Sequence, residues 1–265
     1  MSAQTRPAPG RHTIRVSEDD CGLGQFGGGA WLSDAALWPS DPSTGRPMTP
    51  IVMLTDLFLP SIWLADDMAV TVFAALGREG DAYNRTALRT FTIHQQSELE
   101  KIDTGHSKVV LHRRAARELV RDTVMLPRHF VGLQPFDERD AEEEAEDADN
   151  GAGMSKQLGR PCWLQDPIHE HPRHYFLAQF VESDLRQQDP AYDGLFADGT
   201  GYLFAEQGAK VLREGDTAGY FFLQFTLAQP SPGTRAGERC SANAVTANRT
   251  GVRRKTHARR RTATG

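Results

Sequence analysis

Apolar residues along this chain come in short runs separated by polar, glycine- and proline-rich stretches, which predicts a strand-rich fold. Residues 51–59 form one such run between Pro50 and Pro60, and residues 68–76 form a second that ends at Gly77. Both have strand length, and the β-branched centre of the second, Val70-Thr71-Val72, favours strand over helix. Residues 87–94 alternate moderately and predict a further strand, as do residues 108–112. Residues 115–125 predict a short helix, because Leu119 and Val120 follow Ala115 and Ala116 at i+4 and Pro127 then stops the segment. In the second half, residues 175–179, 201–205, 209–213 and 219–227 read as strands. The last is apolar on both faces and therefore central.

The pattern also echoes itself. Gly27-Gly28-Gly29-Ala30-Trp31-Leu32-Ser33-Asp34 leads through a polar loop into the run at Pro50, with Thr55 near its end. Gly159-Arg160-Pro161-Cys162-Trp163-Leu164-Gln165-Asp166 leads through a polar loop into Tyr175-Phe176-Leu177-Ala178-Gln179. Each reads as glycine turn, Trp-Leu-x-Asp, loop and buried strand. Ser33 stands where Gln165 stands, and Thr55 where Gln179 stands. A third Trp-Leu-x-Asp, from Trp63 to Asp66, lacks the turn. Five glycines fall between Gly22 and Gly29, and Gly22-Leu23-Gly24-Gln25-Phe26-Gly27 has the spacing of a dinucleotide fingerprint. Neither a preceding apolar strand nor a following helix accompanies it, so a turn that lets backbone pass close to Trp31 is the better reading.

Composition divides the 265 residues unevenly. Residues 1–13 predict a disordered N-terminus, residues 14–136 and 154–229 the two halves of one domain, and residues 137–153 an acidic, solvated linker between them. Nine acids and one arginine lie in residues 137–149. Residues 230–265 predict a disordered basic tail. Nine arginines and lysines against Glu238 give residues 235–261 about +8, so a net charge of −5 leaves about −13 on residues 1–234. A diffuse, salt-sensitive association of tail and body follows from those charges. Three cysteines without a CxxC spacing fit a reducing compartment, and the N-terminal residues hold no apolar signal core. The expectation is a soluble cytoplasmic protein with no membrane partner.

Several residues together resemble the YwqG-like family, a domain of unknown function (DUF1963). In the first half they are Phe26-Gly27-Gly28, Trp38-Pro39 and the run from Pro50 to Leu54. In the second they are Ser155 to Gly159, Pro161 to Gln165, Phe176 to Gln179, Gly201 to Phe204, and Tyr220 to Gln224. The resemblance covers about residues 24–228 and implies an α+β, mainly β fold, compact, with two degenerate pseudo-repeated halves. Arg160 and Ala30 depart from the family's glycine and proline. The resemblance implies no activity.

Candidate chemistry is sparse. His169, His171 and His174 offer three imidazoles that suit zinc or nickel, although Pro172 excludes a helix that would converge them. Ser61, Ser107 and Ser155 lack a nucleophile-elbow context, and Cys162 reads as a small buried thiol. Asp66-Asp67 and Asp19-Asp20 are adjacent carboxylates, which a strand would send to opposite faces. Trp31 and Trp163 with Gln165, Gln179 and Gln224 suit an aromatic platform beside amides for a peptide edge, sugar or base, or else a packed core with satisfied amides. The tail run from Arg253 to Arg261 lacks aromatics, so any nucleic-acid contact is weak and non-specific. No cofactor is implied. The expected function is a non-enzymatic binding or protein-interaction module with a protein partner or small ligand. The alternative is a small-molecule hydrolase or metal-dependent enzyme whose site forms only in three dimensions.

Overall fold

A computed structural model describes residues 6–168 and 173–225. The elements of the first half are β1 (His12–Ser17), β2 (Gly24–Phe26), β3 (Ala30–Leu32), β4 (Thr49–Thr55), β5 (Met68–Ala74), the hairpin β6 (Arg78–Glu79) and β7 (Ala82–Tyr83), α1 (Arg85–Arg89) and β8 (Ser107–Leu119). Then come β9 (His129–Pro135), α2 (Glu138–Glu146), β10 (Lys156–Gln157), β11 (His174–Val181), α3 (Glu182–Gln188), β12 (Thr200–Glu206) and β13 (Gly219–Gln224). The fold is mainly β.

The principal sheet runs in the order β13-β12-β11-β10-β1-β9-β2-β4-β5-β8-β3, with every neighbouring pair antiparallel. It curls until β8 meets the lead-in to β13. Leu111 N–H donates to Asp216 O at 3.0 Å, Gly215 N–H to Leu111 O at 2.8 Å and Ala218 N–H to Val109 O at 2.9 Å. One large apolar cluster fills the inside of the curl, including Phe26, Leu54, Val70, Leu111, Phe180, Leu203 and Phe221.

Strand periodicity explains why β4, β5 and β13 are buried along their whole length. Alternate residues point inward and outward, and loops cover the outward ones. Trp38, Met48 and Ala75 pack with Phe73 and Val110 on one outer face. Trp163, Ile93 and Ile168 pack over Tyr202, Phe204, Tyr220 and Phe222 on another. The glycine turn behaves as its composition predicts: a Cβ on Gly29 would lie 2.1 Å from Leu119 O, so only glycine lets the chain cross β8 there.

Four local expectations are corrected. Residues 87–94 are not a strand, because Asn84 caps α1 through Ala87 N–H at 3.0 Å and the Thr90 and Thr92 hydroxyls turn back to Ala87 O and Leu88 O. The helix predicted over residues 115–125 is instead, as far as Leu119, the continuation of β8, held by pairing to β3 that a local alanine spacing does not reveal. Residues 209–211 form a single 3-10 turn rather than a strand. Residues 12 and 13 belong to β1, with His12 and Thr13 both buried.

The acidic stretch is the largest departure. Residues 138–146 form α2, opened by a capping box in which Asp137 accepts from Asp140 N–H and Asp140 from Asp137 N–H. Glu144 on that helix is 1% exposed and meets Lys156, which is fully buried, at 2.5 Å. Glu144 also accepts from Ala152 N–H at 2.7 Å and Arg160 N–H at 2.8 Å. The solvated linker expected from the charge run is therefore a docked helix, because one of its acids has a buried cation waiting on β10. The tail, residues 230–265, lies outside the described residues.

A mixed-charge cleft as candidate functional site

Sequence-predicted site residues separate into different environments. Gln179 and Gln224 are fully buried. Gln179 accepts from Cys162 N–H at 2.9 Å and donates to Ala152 O and Met154 O at 3.1 and 2.7 Å. Gln224 accepts from Leu164 and Gln165 N–H at 3.1 and 3.2 Å and donates to Asp166 O at 3.0 Å. Both amides sew the Trp163 loop to the sheet and offer no face to a ligand. Gln165 donates to Phe225 O at 3.2 Å. Trp163 stacks on Tyr202 with centroids 5.0 Å apart and 29° between planes, a packing element that remains half-buried.

Trp31 alone keeps the aromatic-plus-amide arrangement, with a different glutamine. Its Nε1–H donates to Gln25 Oε1 at 2.7 Å, and the Arg114 guanidinium lies 5.6 Å above its ring. Of the three histidines, His174 is half-buried, with Nε2 3.5 Å from Glu206 Oε2 and its ring edge-on to Tyr220 at 4.9 Å. His169 and His171 lie outside the described residues.

Arg114 leads to the candidate site. At the end of β4 and the start of β5, beside the middle of β8, opens a cleft of about 460 Å³ lined by Gly22, Thr55, Asp56, Asp66, Asp67 and Arg113 with Arg114. Asp66 and Asp67 had been expected to diverge as strand neighbours, but they precede β5 in a turn. Asp67 adopts φ 63°, a left-handed conformation unusual outside glycine, and both carboxylates line the cleft. Among the described residues neither carboxylate makes an ion pair, and neither does the Arg113 guanidinium. Arg114 approaches Asp20 at 3.9 Å.

Asp56 is the most constrained group in the cleft. Burial pushes its pKa up and the nearby Asp66 and Asp67 push the same way, while the Arg6 guanidinium opposes them. Arg6 Nη2 donates to Asp56 Oδ2 at 3.1 Å, and Nη1 reaches the carbonyls of Asp56, Leu59 and Ser61. The sequence offered no signal for this site beyond the Asp66-Asp67 pair, since its residues come from positions 6 to 116 and converge only through the sheet.

Two other clusters resemble chemistry. Glu182, Asp193 and Asp198 offer ligand oxygens within 4.8 Å of one another. Arg186 Nη1 already sits 2.9 Å from Asp193 and 3.0 Å from Asp198, and Glu182 accepts N–H bonds from Gly194, Phe196 and Asp198. An arginine thus fills the cation's place. Burial outweighs those three donors and pushes Glu182 up to about 7.

On the opposite flank, Ser43 Oγ lies 2.7 Å from His106 Nε2, and Thr104 Oγ1 lies 2.8 Å from His106 Nδ1. The carboxylate of Asp41 approaches the same Nε2 at 3.9 Å, so it stands beside the serine instead of behind the imidazole where a triad carboxylate belongs. The contact closes an exposed turn. Among the described residues no helix is long and apolar enough to cross a membrane. Comparison with family models, with curated proteins and with solved structures finds no match to this chain.

Proposed function

We propose that this chain is a non-enzymatic binding module that meets a protein partner through the mixed-charge cleft. The observation that carries the reading is the cleft itself, a concavity in which Asp66, Asp67 and Arg113 stand without ion-pair partners among the described residues. Charges left unpaired in a concave site favour a partner of opposite pattern, and they set association rate and specificity more than raw affinity. Asp56, Asp66 and Asp67 do not form a metal cage, since Glu182, Asp193 and Asp198 are the group of described residues spaced for one ion.

We further propose a divergent YwqG-like (DUF1963) fold with two degenerate halves. Strand order supports it. β10-β11-β12-β13 and β2-β4-β5-β8 are two antiparallel runs that extend outward from the central pair β1 and β9. β1 pairs with β10 of the second half, and β9, the last strand before residue 137, pairs with β1 and β2. The same sequence offset separates Gln25 from Gln157 and Trp31 from Trp163. Register makes Leu54 the counterpart of Gln179, one position before Thr55, because Leu54 pairs with Gly24 and Gln179 with Lys156.

Carbodiimide cross-linking of the full chain in native cell extract, read by mass spectrometry, tests the binding role. Links from Asp66 or Asp67 to a lysine of one protein are expected. Links scattered evenly over the exposed acids count against the cleft. The 2.7 Å Ser43–His106 contact favours one second reading, a weak esterase. That reading requires p-nitrophenyl acetate turnover that disappears in Ser43→Ala.

A further inference from the structure

Arg6 reaches the body through its guanidinium, which is directed at three main-chain carbonyls and one carboxylate. The turn that supplies those acceptors is fixed without it. Phe58 N–H donates to Thr55 O and Asp56 N–H to Met68 O, both at 3.0 Å. Trp63 Nε1–H donates to Thr55 O at 3.1 Å, and the buried Gln157 amide donates to Phe58 O at 3.1 Å. Phe58, Leu59, Trp63 and Leu64 are all in the core. The basket of acceptors is therefore preorganised, and departure of Arg6 leaves its shape in place.

Asp56 belongs both to this basket and to the cleft that holds Asp66 and Asp67. We propose that Arg6 is an exchangeable occupant of a guanidinium site, and that the partner is a polypeptide that lies in the cleft and places an arginine in the same basket. This rests on the reading of the cleft as the binding surface. The geometry selects arginine over lysine. A planar fork of five N–H donors can address a carboxylate and several carbonyls at once, whereas an ammonium acts as a compact point charge. Burial has already raised the cost of an unpaired Asp56 carboxylate, so the basket strongly favours being filled.

Arg6 competes from within the same chain, and a short tether corresponds to an effective concentration on the order of millimolar. An incoming arginine must therefore gain additional contacts, which Asp66 and Asp67 supply. Removal of the internal competitor should tighten binding by at least about tenfold, on the same tether argument.

The test uses a fluorescein-labelled peptide with the sequence of residues 2–10, in which Arg6 is the single arginine, added to the full-length chain. Fluorescence anisotropy compares the wild type with Arg6→Ala, Arg6→Ala/Asp56→Asn and Arg6→Ala/Asp66→Asn/Asp67→Asn. Circular dichroism checks each fold, and Arg6→Lys serves as a second variant if Arg6→Ala unfolds. The expected result is at least about tenfold tighter binding to the chain lacking Arg6, lost with Asp56→Asn and weakened when the peptide's arginine becomes lysine. Equal affinity for wild type and both Arg6 variants overturns the exchange, as does the absence of saturable binding to any variant. The two claims fail separately. Binding that requires Asp56 and ignores Asp66 and Asp67 leaves the basket standing without the cleft. Binding that requires Asp66 and Asp67 and ignores Arg6 and Asp56 leaves the cleft standing without the exchange.

Discussion

The Glu144–Lys156 pair decides whether the acidic stretch is a linker or part of the body, and its energetics can be worked from the contacts. Both side chains are at most 1% exposed, and Glu144 accepts from the Lys156 ammonium, Ala152 N–H and Arg160 N–H. Glu144→Gln leaves an ammonium buried without its counter-charge, a defect that costs about 3–5 kcal/mol. In a domain of this size each kcal/mol moves the thermal midpoint by roughly 2–4 °C, so a drop on the order of 10 °C is expected. Lys156→Met should cost less, because Glu144 keeps its two backbone donors. The double change Glu144→Gln/Lys156→Met should recover much of the loss, with a coupling of about 2 kcal/mol, since an apolar replacement of a buried pair is often tolerated. Burial holds the Lys156 pKa below its ordinary value. Without Glu144 it falls further, so the unfolded chain binds more protons than the folded one, and the variant should regain stability as pH rises toward the ordinary lysine range. Denaturation followed by circular dichroism, with amide exchange over residues 138–146, measures all of this. A midpoint for Glu144→Gln within about 2 °C of wild type would refute the docked helix, as would exchange in α2 as fast as in a free peptide.

Further predictions follow from single contacts. Glu182, lifted to about 7 by burial against 4.5 when free, keeps its proton in the folded state between those values. Stability should therefore fall as pH rises from about 4.5 to 7, by up to about 3 kcal/mol, and urea titrations of Glu182→Gln should show a flatter profile. Gln179→Leu leaves Cys162 N–H, Ala152 O and Met154 O unpaired in the interior and should destabilise by about 2–4 kcal/mol in thermal melts, whereas the half-exposed Gln165→Leu should change stability by about 1 kcal/mol or less. Gly29→Ala forces a Cβ to within 2.1 Å of Leu119 O and should fail to fold or melt far lower, while Gly45→Ala, with open space around it, should cost only about 1 kcal/mol for its φ of 69°. A chain ending near Gln229 should keep the thermal midpoint of the full chain; a large drop would show that the basic tail contributes to the fold.

Long apolar runs carried much of the architecture. Residues 51–59, 68–76 and 219–227 announce β4, β5 and β13 because β-branched and aromatic residues with both faces covered leave few alternatives, although β13 ends the strand order where a central place was expected. Local patterns misled where tertiary contacts outweigh them. The alanines after Arg114 carry little preference, and pairing to β3 draws them into β8. The acids after Asp137 look interchangeable in sequence, yet Glu144 faces a lysine on β10, and nothing local marks that partner. Gln179 and Gln224 were visible as polar residues in apolar strands, and the pattern could not separate a ligand contact from a backbone tie. Asp56, Arg6 and Arg113 were invisible as a group, since only the side-by-side pairing of β4, β5 and β8 and the docking of Arg6 gather positions so far apart.

The most direct measurement of the central claim is the affinity of the partner captured at Asp66 or Asp67 for the purified full-length chain, compared with the charge reversal Asp66→Lys/Asp67→Lys. Both side chains are exposed, so the reversal acts on the cleft, and circular dichroism checks that the fold tolerates lysine at Asp67, whose φ is 63°. The account predicts at least about tenfold weaker binding, most of it in a slower association that salt suppresses in the wild type. An unchanged affinity with an unchanged salt dependence would contradict it and move the binding surface away from this cleft.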